Sequence, residues 1–125
     1  MYTLRIEKEF HSYHYLTGGD WGPENSRHKH LYKACLKLEG ERLDRHGFLV
    51  DIVKLEGALS ESVKEFENKT LNSLRQFEGL NPSIENFARI IALSIASSLD
   101  GNIETVTVSV SEDNTASASY RMELG

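Results

Sequence analysis

The chain has 125 residues, 14 Lys plus Arg against 19 Asp plus Glu, a formal charge of -5 and a hydrophobic fraction of 39% with five Phe, five Tyr and one Trp. That is the size and composition of one folded domain, not of a disordered segment, and the acidic balance argues against a phosphate backbone or an anionic membrane as partner. A single cysteine, Cys35, excludes an intrachain disulfide and any Cys-x-x-Cys metal pair, which points to a reducing compartment.

From Tyr2 to Phe10 apolar and charged residues alternate, the period of a strand with one wet face. This N-terminal stretch lacks the apolar centre of a signal peptide. His30 to Leu38 alternates in the same way and predicts a second strand. Gly40 to Gly47 has the glycines and charges of an exposed connection, followed by the apolar run Phe48-Leu49-Val50 and by Asp51 as a helix N-cap. Ile52, Leu55, Leu59, Val63 and Phe66 then recur every three or four residues and predict an amphipathic helix, which Gly57 weakens without ending.

Glu67 to Leu80 has no clean period and predicts a loop with a turn. Asn81 as N-cap and Pro82 as first helical residue announce a second helix, with the stripe Ile84, Phe87, Ala88, Ile91, Ile95 and Leu99 and an end at Asp100-Gly101-Asn102. Its apolar stretch, Phe87 to Leu99, is too short and too interrupted to span a bilayer. With the N-terminus this predicts a cytoplasmic protein with no membrane partner. Ile103 to Ser111 and Thr115 to Leu124 alternate as strands, and Glu112, Asp113 and Asn114 make the turn between them.

Residues 1–125 therefore predict one α+β domain of order ββααββ: an antiparallel four-stranded sheet with two helices on its apolar, even-numbered face. Its opposite Thr- and Ser-rich face and its two open edges suit closure into a barrel with further copies.

His14, just past the first strand, and His28 and His30, at the start of the second, form a pattern a metal can use. His-x-His on a strand puts two rings on one face, and His14 lies across from them if the strands pair. Three neutral imidazoles with an open fourth position describe a catalytic zinc; two solvated surface histidines are the competing account of His-x-His.

Taken together, Phe10-x-x-x-His14, His28-x-His30, Gly47 to Asp51 (GFLVD), Leu71-Asn72, Asn81-Pro82-Ser83-Ile84-Glu85-Asn86 and Glu112 before the last strand resemble the 6-pyruvoyltetrahydropterin synthase and 6-carboxytetrahydropterin synthase family over nearly the whole chain. The resemblance implies the tunnelling fold (T-fold), in which three subunits close one barrel and two barrels stack into a hexamer, so that a homotrimer or homohexamer is expected. It assigns His14, His28 and His30 to Zn2+, which holds the oxygens of a pterin side chain and acidifies its carbon-bound protons. Glu112 matches the glutamate that anchors the pterin, its carboxylate accepting from the two-donor ring edge. Ser83 and Glu85 match residues that contact the pterin from a neighbouring subunit. A hairpin-turn acid, a capping serine and an exposed first-turn acid are the ordinary alternatives for these three.

The chain also departs from the family's pattern. No cysteine precedes the His-x-His motif; Glu24, four residues before His28, stands in its place and is the candidate general base. Where the family carries an Asp-His relay, this chain has Glu67-Asn68, and Asn68 shuttles no proton. Glu67 remains a catalytic candidate and His11 an alternative relay. Lys29 replaces the glycine of His-Gly-His at the site entrance, and Cys35 is expected to be a packing residue. Two functions follow: a zinc-dependent lyase acting on the side chain of dihydroneopterin or its triphosphate, or a zinc- and pterin-binding protein that has lost that activity.

Overall fold

The computed structural model describes residues 1–124. The strands β1 (Tyr2–His14) and β2 (His28–Gly40) are followed by the helices α1 (Ile52–Lys64) and α2 (Ile84–Ala96), then by β3 (Thr105–Glu112) and β4 (Ala116–Glu123). All neighbouring strands are antiparallel, in the sheet order β1-β2-β3-β4. Among the described residues no helix is long and apolar enough to cross a membrane.

The period of two decides which face is buried. Phe10, Tyr32, Ala34, Leu36, Leu38, Val106, Val108 and Val110 all point under the helices, and the register sets Phe10 beside Tyr32 and Leu36 beside Val108. The helices meet them with Leu55, Leu59 and Val63 from α1 and Phe87, Ala88, Ile91 and Ile95 from α2. Phe87 is the hub, its ring 5.1 to 5.8 Å from those of Tyr32, Phe66, Phe77 and Phe10, and such aromatic burial carries much of a core's stability. On the other face Ser109, Ser111, Ser117 and Ser119 sit among Arg5, Lys33 and Lys37.

Several boundaries differ from the sequence pattern, each for a local reason. β1 continues four residues past Phe10, because Ser12 and His14 take the inward positions although they are polar. The Ser12 hydroxyl lies between the Phe66 and Lys69 carbonyls, at 2.7 and 2.6 Å, which satisfies it without water. β2 begins at His28, and Gly40 is its buried last residue, not part of an exposed loop. A Cβ there would stand 2.1 Å from the Asn102 carbonyl oxygen, so no larger residue fits. α1 ends at Lys64, before Phe66, and Ile52 is exposed.

The N-cap of α2 is Ser83, whose Oγ accepts from the Asn86 amide at 3.1 Å; Pro82 precedes the helix, and Asn81 is used elsewhere. Residues 67–80 contain two 3-10 turns, Leu71–Ser73 and Arg75–Phe77, anchored by buried Leu71 and Phe77. Glu112 belongs to β3, so the turn itself starts at Asp113. Cys35 is half-buried on the polar face and not in the core; burial pushes its thiol pKa up.

One feature of this fold prepares the site. Residues 68–70 lie along the outer edge of β1 at its His14 end, where the Asn68 amide donates to the His11 carbonyl (2.7 Å) and the Tyr13 amide to the Lys69 carbonyl (2.9 Å). Asn68 sits at φ 57, a left-handed conformation that asparagine tolerates.

Candidate metal centre

Antiparallel pairing makes His14, the last residue of β1, the direct partner of His28, the first of β2. His30, two residues further on, shares their face. The three rings pack edge to face with centroids 4.5, 4.7 and 4.5 Å apart, above the aromatic core to which Tyr32 joins them.

Each Nδ1 faces an acceptor. His14 Nδ1 is 3.1 Å from the Pro82 carbonyl oxygen and 3.0 Å from the Tyr32 hydroxyl; His28 Nδ1 is 2.7 Å from the Ser26 carbonyl; His30 Nδ1 meets the Asp113 carboxylate. An acceptor at Nδ1 keeps the proton there and leaves the Nε2 lone pair free to bind a metal. All three Nε2 atoms are buried and lack a hydrogen-bond partner among the described residues. His14 is 2% exposed, and burial first, then the His30 and His28 rings, lower its pKa to about 4. A lowered pKa in a base favours the neutral form, so His14 is a neutral imidazole, with its one proton on Nδ1, at any pH well above that value.

Two carboxylates approach the same nitrogens. Glu24 Oε2 lies 2.9 Å from His28 Nε2 and 3.8 Å from His14 Nε2, and Glu112 Oε1 lies 2.7 Å from His30 Nε2 and 3.8 Å from His14 Nε2. Neither contact has hydrogen-bond geometry. The ligand atoms of His14, Glu24, His28 and His30 all fall within 4.8 Å of one another. Burial raises the Glu112 carboxyl pKa, with Glu24 and Asp113 adding to the rise against the opposing His30 and His28. For Asp113 burial acts upward too, but hydrogen bonds from the Leu31 amide and His30 outweigh it and its pKa is lowered.

Glu24 rides on the 3-10 turn Gly22–Asn25, in a loop held by three asparagines. Asn72 accepts from the Tyr15 amide and donates to the Tyr15 carbonyl (3.0 and 2.8 Å), and Asn81 does the same for Thr17 (2.8 and 3.0 Å). Asn25 accepts from the Trp21 amide and donates to the Leu16 and Gly19 carbonyls. Each amide side chain replaces a strand neighbour for the loop backbone.

The structure thus brings His14, His28, His30, Glu24 and Glu112 together. Ser83 caps α2 next to Pro82, whose carbonyl meets His14, and Glu85 is exposed in the first turn. Glu67 lies on the turn after α1, and no hydrogen bond or ion pair joins its side chain to the histidines among the described residues. His11 and Lys29 alternate with the triad positions and are exposed, so neither stands at the triad. Asp113 is the residue that sequence reasoning passed over: adjacency to Glu112 was its one signal, and its link to His30 spans 83 positions.

The family model described as 6-pyruvoyl tetrahydropterin synthase matches residues 3–123. A dihydroneopterin monophosphate aldolase of Pyrococcus furiosus is 30% identical over 87 residues, which is 70% of this chain and 71% of that protein. Among solved structures, the 6-pyruvoyl tetrahydropterin synthase of Caenorhabditis elegans superposes with a TM-score of 0.84 at 20% identity, covering 98% of this chain and 96% of that one. A form of the Plasmodium vivax 6-pyruvoyltetrahydropterin synthase, described as a catalytic-residue mutant with glutamate replaced by alanine, superposes with a TM-score of 0.81 at 15% identity, covering 98% of each chain.

Proposed function

The chain belongs to the 6-pyruvoyl tetrahydropterin synthase family, and from that membership we propose that it is a zinc-dependent lyase acting on the side chain of dihydroneopterin or one of its phosphate esters. The observation that carries the reading is the set of three partnerless Nε2 atoms with the Glu24 carboxylate beside them. The donor set fits zinc: three imidazoles, each with its Nδ1 held and its Nε2 without a partner among the described residues, and a carboxylate within ligand distance of them. A bound zinc supplies Lewis acidity to oxygen atoms of the side chain.

The chain's own residues supply the rest. Glu24 takes a proton from the substrate side chain as general base, and its clamped loop keeps the carboxylate in place through turnover. In a retro-aldol cleavage that proton leaves a side-chain hydroxyl, the adjacent carbon-carbon bond breaks, the electron pair passes into the pterin ring, and the carbon left on the ring then takes a proton back from Glu24. The products are then a hydroxymethyl dihydropterin and a two-carbon aldehyde, phosphorylated when the substrate is. The Pyrococcus furiosus relative, an aldolase for the monophosphate, favours carbon-carbon cleavage over elimination of phosphate. Incubating zinc-loaded protein with dihydroneopterin, its monophosphate and its triphosphate, with product masses read out, tests the reading. Tight binding of all three without conversion would support a binding protein instead.

Glu112 is assigned to the ring edge of the pterin, where both oxygens accept from the 2-amino group and its neighbouring ring N-H. Glu112→Gln sets an amide donor against a donor, and pterin affinity should fall by about 2 kcal/mol, roughly thirtyfold, in a fluorescence titration; unchanged affinity removes the assignment.

The assembly is read as a homotrimer or homohexamer. β4 and the upstream part of β1 are long edge strands, which pairing with other copies would cover. In that assembly Ser83 and Glu85 would meet the pterin of a neighbouring copy, and Glu67, on the outer side of β1's end, would serve as a proton relay across a subunit contact. Light scattering should give three or six times the 14.1 kDa chain mass; a monomer at micromolar concentration contradicts it.

A further inference from the structure

We propose that Asp113 is a positioning residue that makes His30 a metal ligand, by holding the imidazole proton on Nδ1 against the pull of Glu112. The inference rests on the metal reading above and adds a residue to it.

His30 differs from the other two histidines. His14 and His28 present Nδ1 to neutral carbonyl oxygens, of Pro82 and Ser26, whereas His30 presents it to a carboxylate. On its other side His30 Nε2 has Glu112 Oε1 at 2.7 Å. A neutral imidazole carries one ring proton; Asp113 is in hydrogen-bonding position at Nδ1, while the Glu112 carboxylate near Nε2 attracts the proton by charge alone. On Nε2, beside Glu112, the proton would occupy the lone pair that a metal needs. On Nδ1, beside Asp113, it leaves Nε2 free and aligned with the Nε2 atoms of His14 and His28. An anionic partner at Nδ1 also raises the basicity of the ligating nitrogen.

The backbone aims Asp113 at this position. Asp113 and Asn114 have φ of 51 and 59, and the Thr115 amide donates to the Glu112 carbonyl at 3.0 Å, so the hairpin closes through two left-handed residues, as primed turns do. The turn returns Asp113 to β2 next to His30. There its amide donates to the Leu31 carbonyl at 2.7 Å, and its Oδ1 accepts from the Leu31 amide at 2.8 Å. With Oδ1 fixed by the residue that follows His30, Oδ2 is directed at the His30 ring. Orientation by a carboxylate anchored in this way costs little further entropy when the metal binds.

The test compares zinc affinity, by competition with a chelating dye, in the parent and in Asp113→Asn. Asparagine keeps the left-handed turn and the acceptor for Leu31, but turns an N-H donor toward His30 Nδ1, which pushes the ring proton to Nε2. The expected result is a loss of zinc affinity of about 10- to 100-fold, with unchanged circular dichroism. In the cobalt-substituted parent the His30 Nδ1 proton should give a hyperfine-shifted N-H resonance protected from solvent exchange, absent in the variant; a merely structural Asp113 would leave it in place. If Asp113→Asn folds poorly, Asp113→Gly decides, since it keeps the positive φ and removes the carboxylate. A foldable variant with the parent's zinc affinity overturns the proposal and leaves the metal site standing. A parent that binds neither zinc nor cobalt overturns the metal reading and this inference with it.

Discussion

Glu24→Gln should lower turnover of the dihydroneopterin substrate by about 100-fold or more while zinc content stays at one per chain, because a positioned general base contributes a factor of that size. Glutamine keeps the shape of the side chain and can still fill the space beside His28, so the loss isolates the proton-accepting function. The geometry leaves few substitutes. Asp20 is committed to its own loop, accepting from the Gly22 amide at 3.1 Å, and His11 is exposed on β1 out of the triad's alternation. Glu112 is the other carboxylate near the nitrogens, and burial raises its pKa. The measurement is steady-state kcat and KM on the best of the three dihydroneopterin substrates, with metal content determined in parallel. Full activity in Glu24→Gln would move the base elsewhere. If the parent itself converts nothing, Asn68→His is the reversion to assay, and the left-handed backbone at Asn68 is one that histidine also adopts.

His28→Ala should reduce zinc affinity by more than the 10- to 100-fold that an outer-shell partner contributes, because it removes one of three protein donors outright. His28 is the cleanest of the three to change. His14 is buried against Tyr32 and Pro82, so its replacement also disturbs packing, whereas the His28 side chain is 24% exposed and its hydrogen-bond partner among the described residues is the local Ser26 carbonyl. Dialysis against a chelator should abolish turnover of the parent, and added zinc should restore it. In His28→Ala the same zinc concentration should restore little. An unchanged zinc affinity in the variant would show that the triad is a packed cluster and not a metal site.

Much of this molecule is legible in the residue order because the relevant physics is local. Alternation along Tyr2–Phe10 and Ile103–Ser111 declares strands, three-to-four spacing from Leu55 to Val63 and from Phe87 to Ile95 declares helices, and Asp51 caps α1 as its residue type suggests, accepting from the Val53 and Lys54 amides. The three histidines could be nominated because a strand's period of two puts His28 and His30 on one face. The resemblance to a known family added Glu24 and Glu112 to the three histidines as one constellation.

What residue order did not reveal depends on groups far apart in the chain. β1 runs on to His14 because polar Ser12 is satisfied by carbonyls 54 and 57 positions away, and a periodicity argument sees only a polar residue at an inward position. Gly40 is required because Asn102 crosses over it, and Asn81 left its expected capping role because the loop at Thr17 needs its side chain. The Nδ1 partners Pro82, Ser26 and Asp113 are two carbonyls and a turn carboxylate, with no signature of their own. The residues that can bind a metal were written in the sequence; which nitrogen each presents was decided by the tertiary structure, because an imidazole's proton goes to the ring nitrogen that faces the better acceptor, and packing alone places those acceptors.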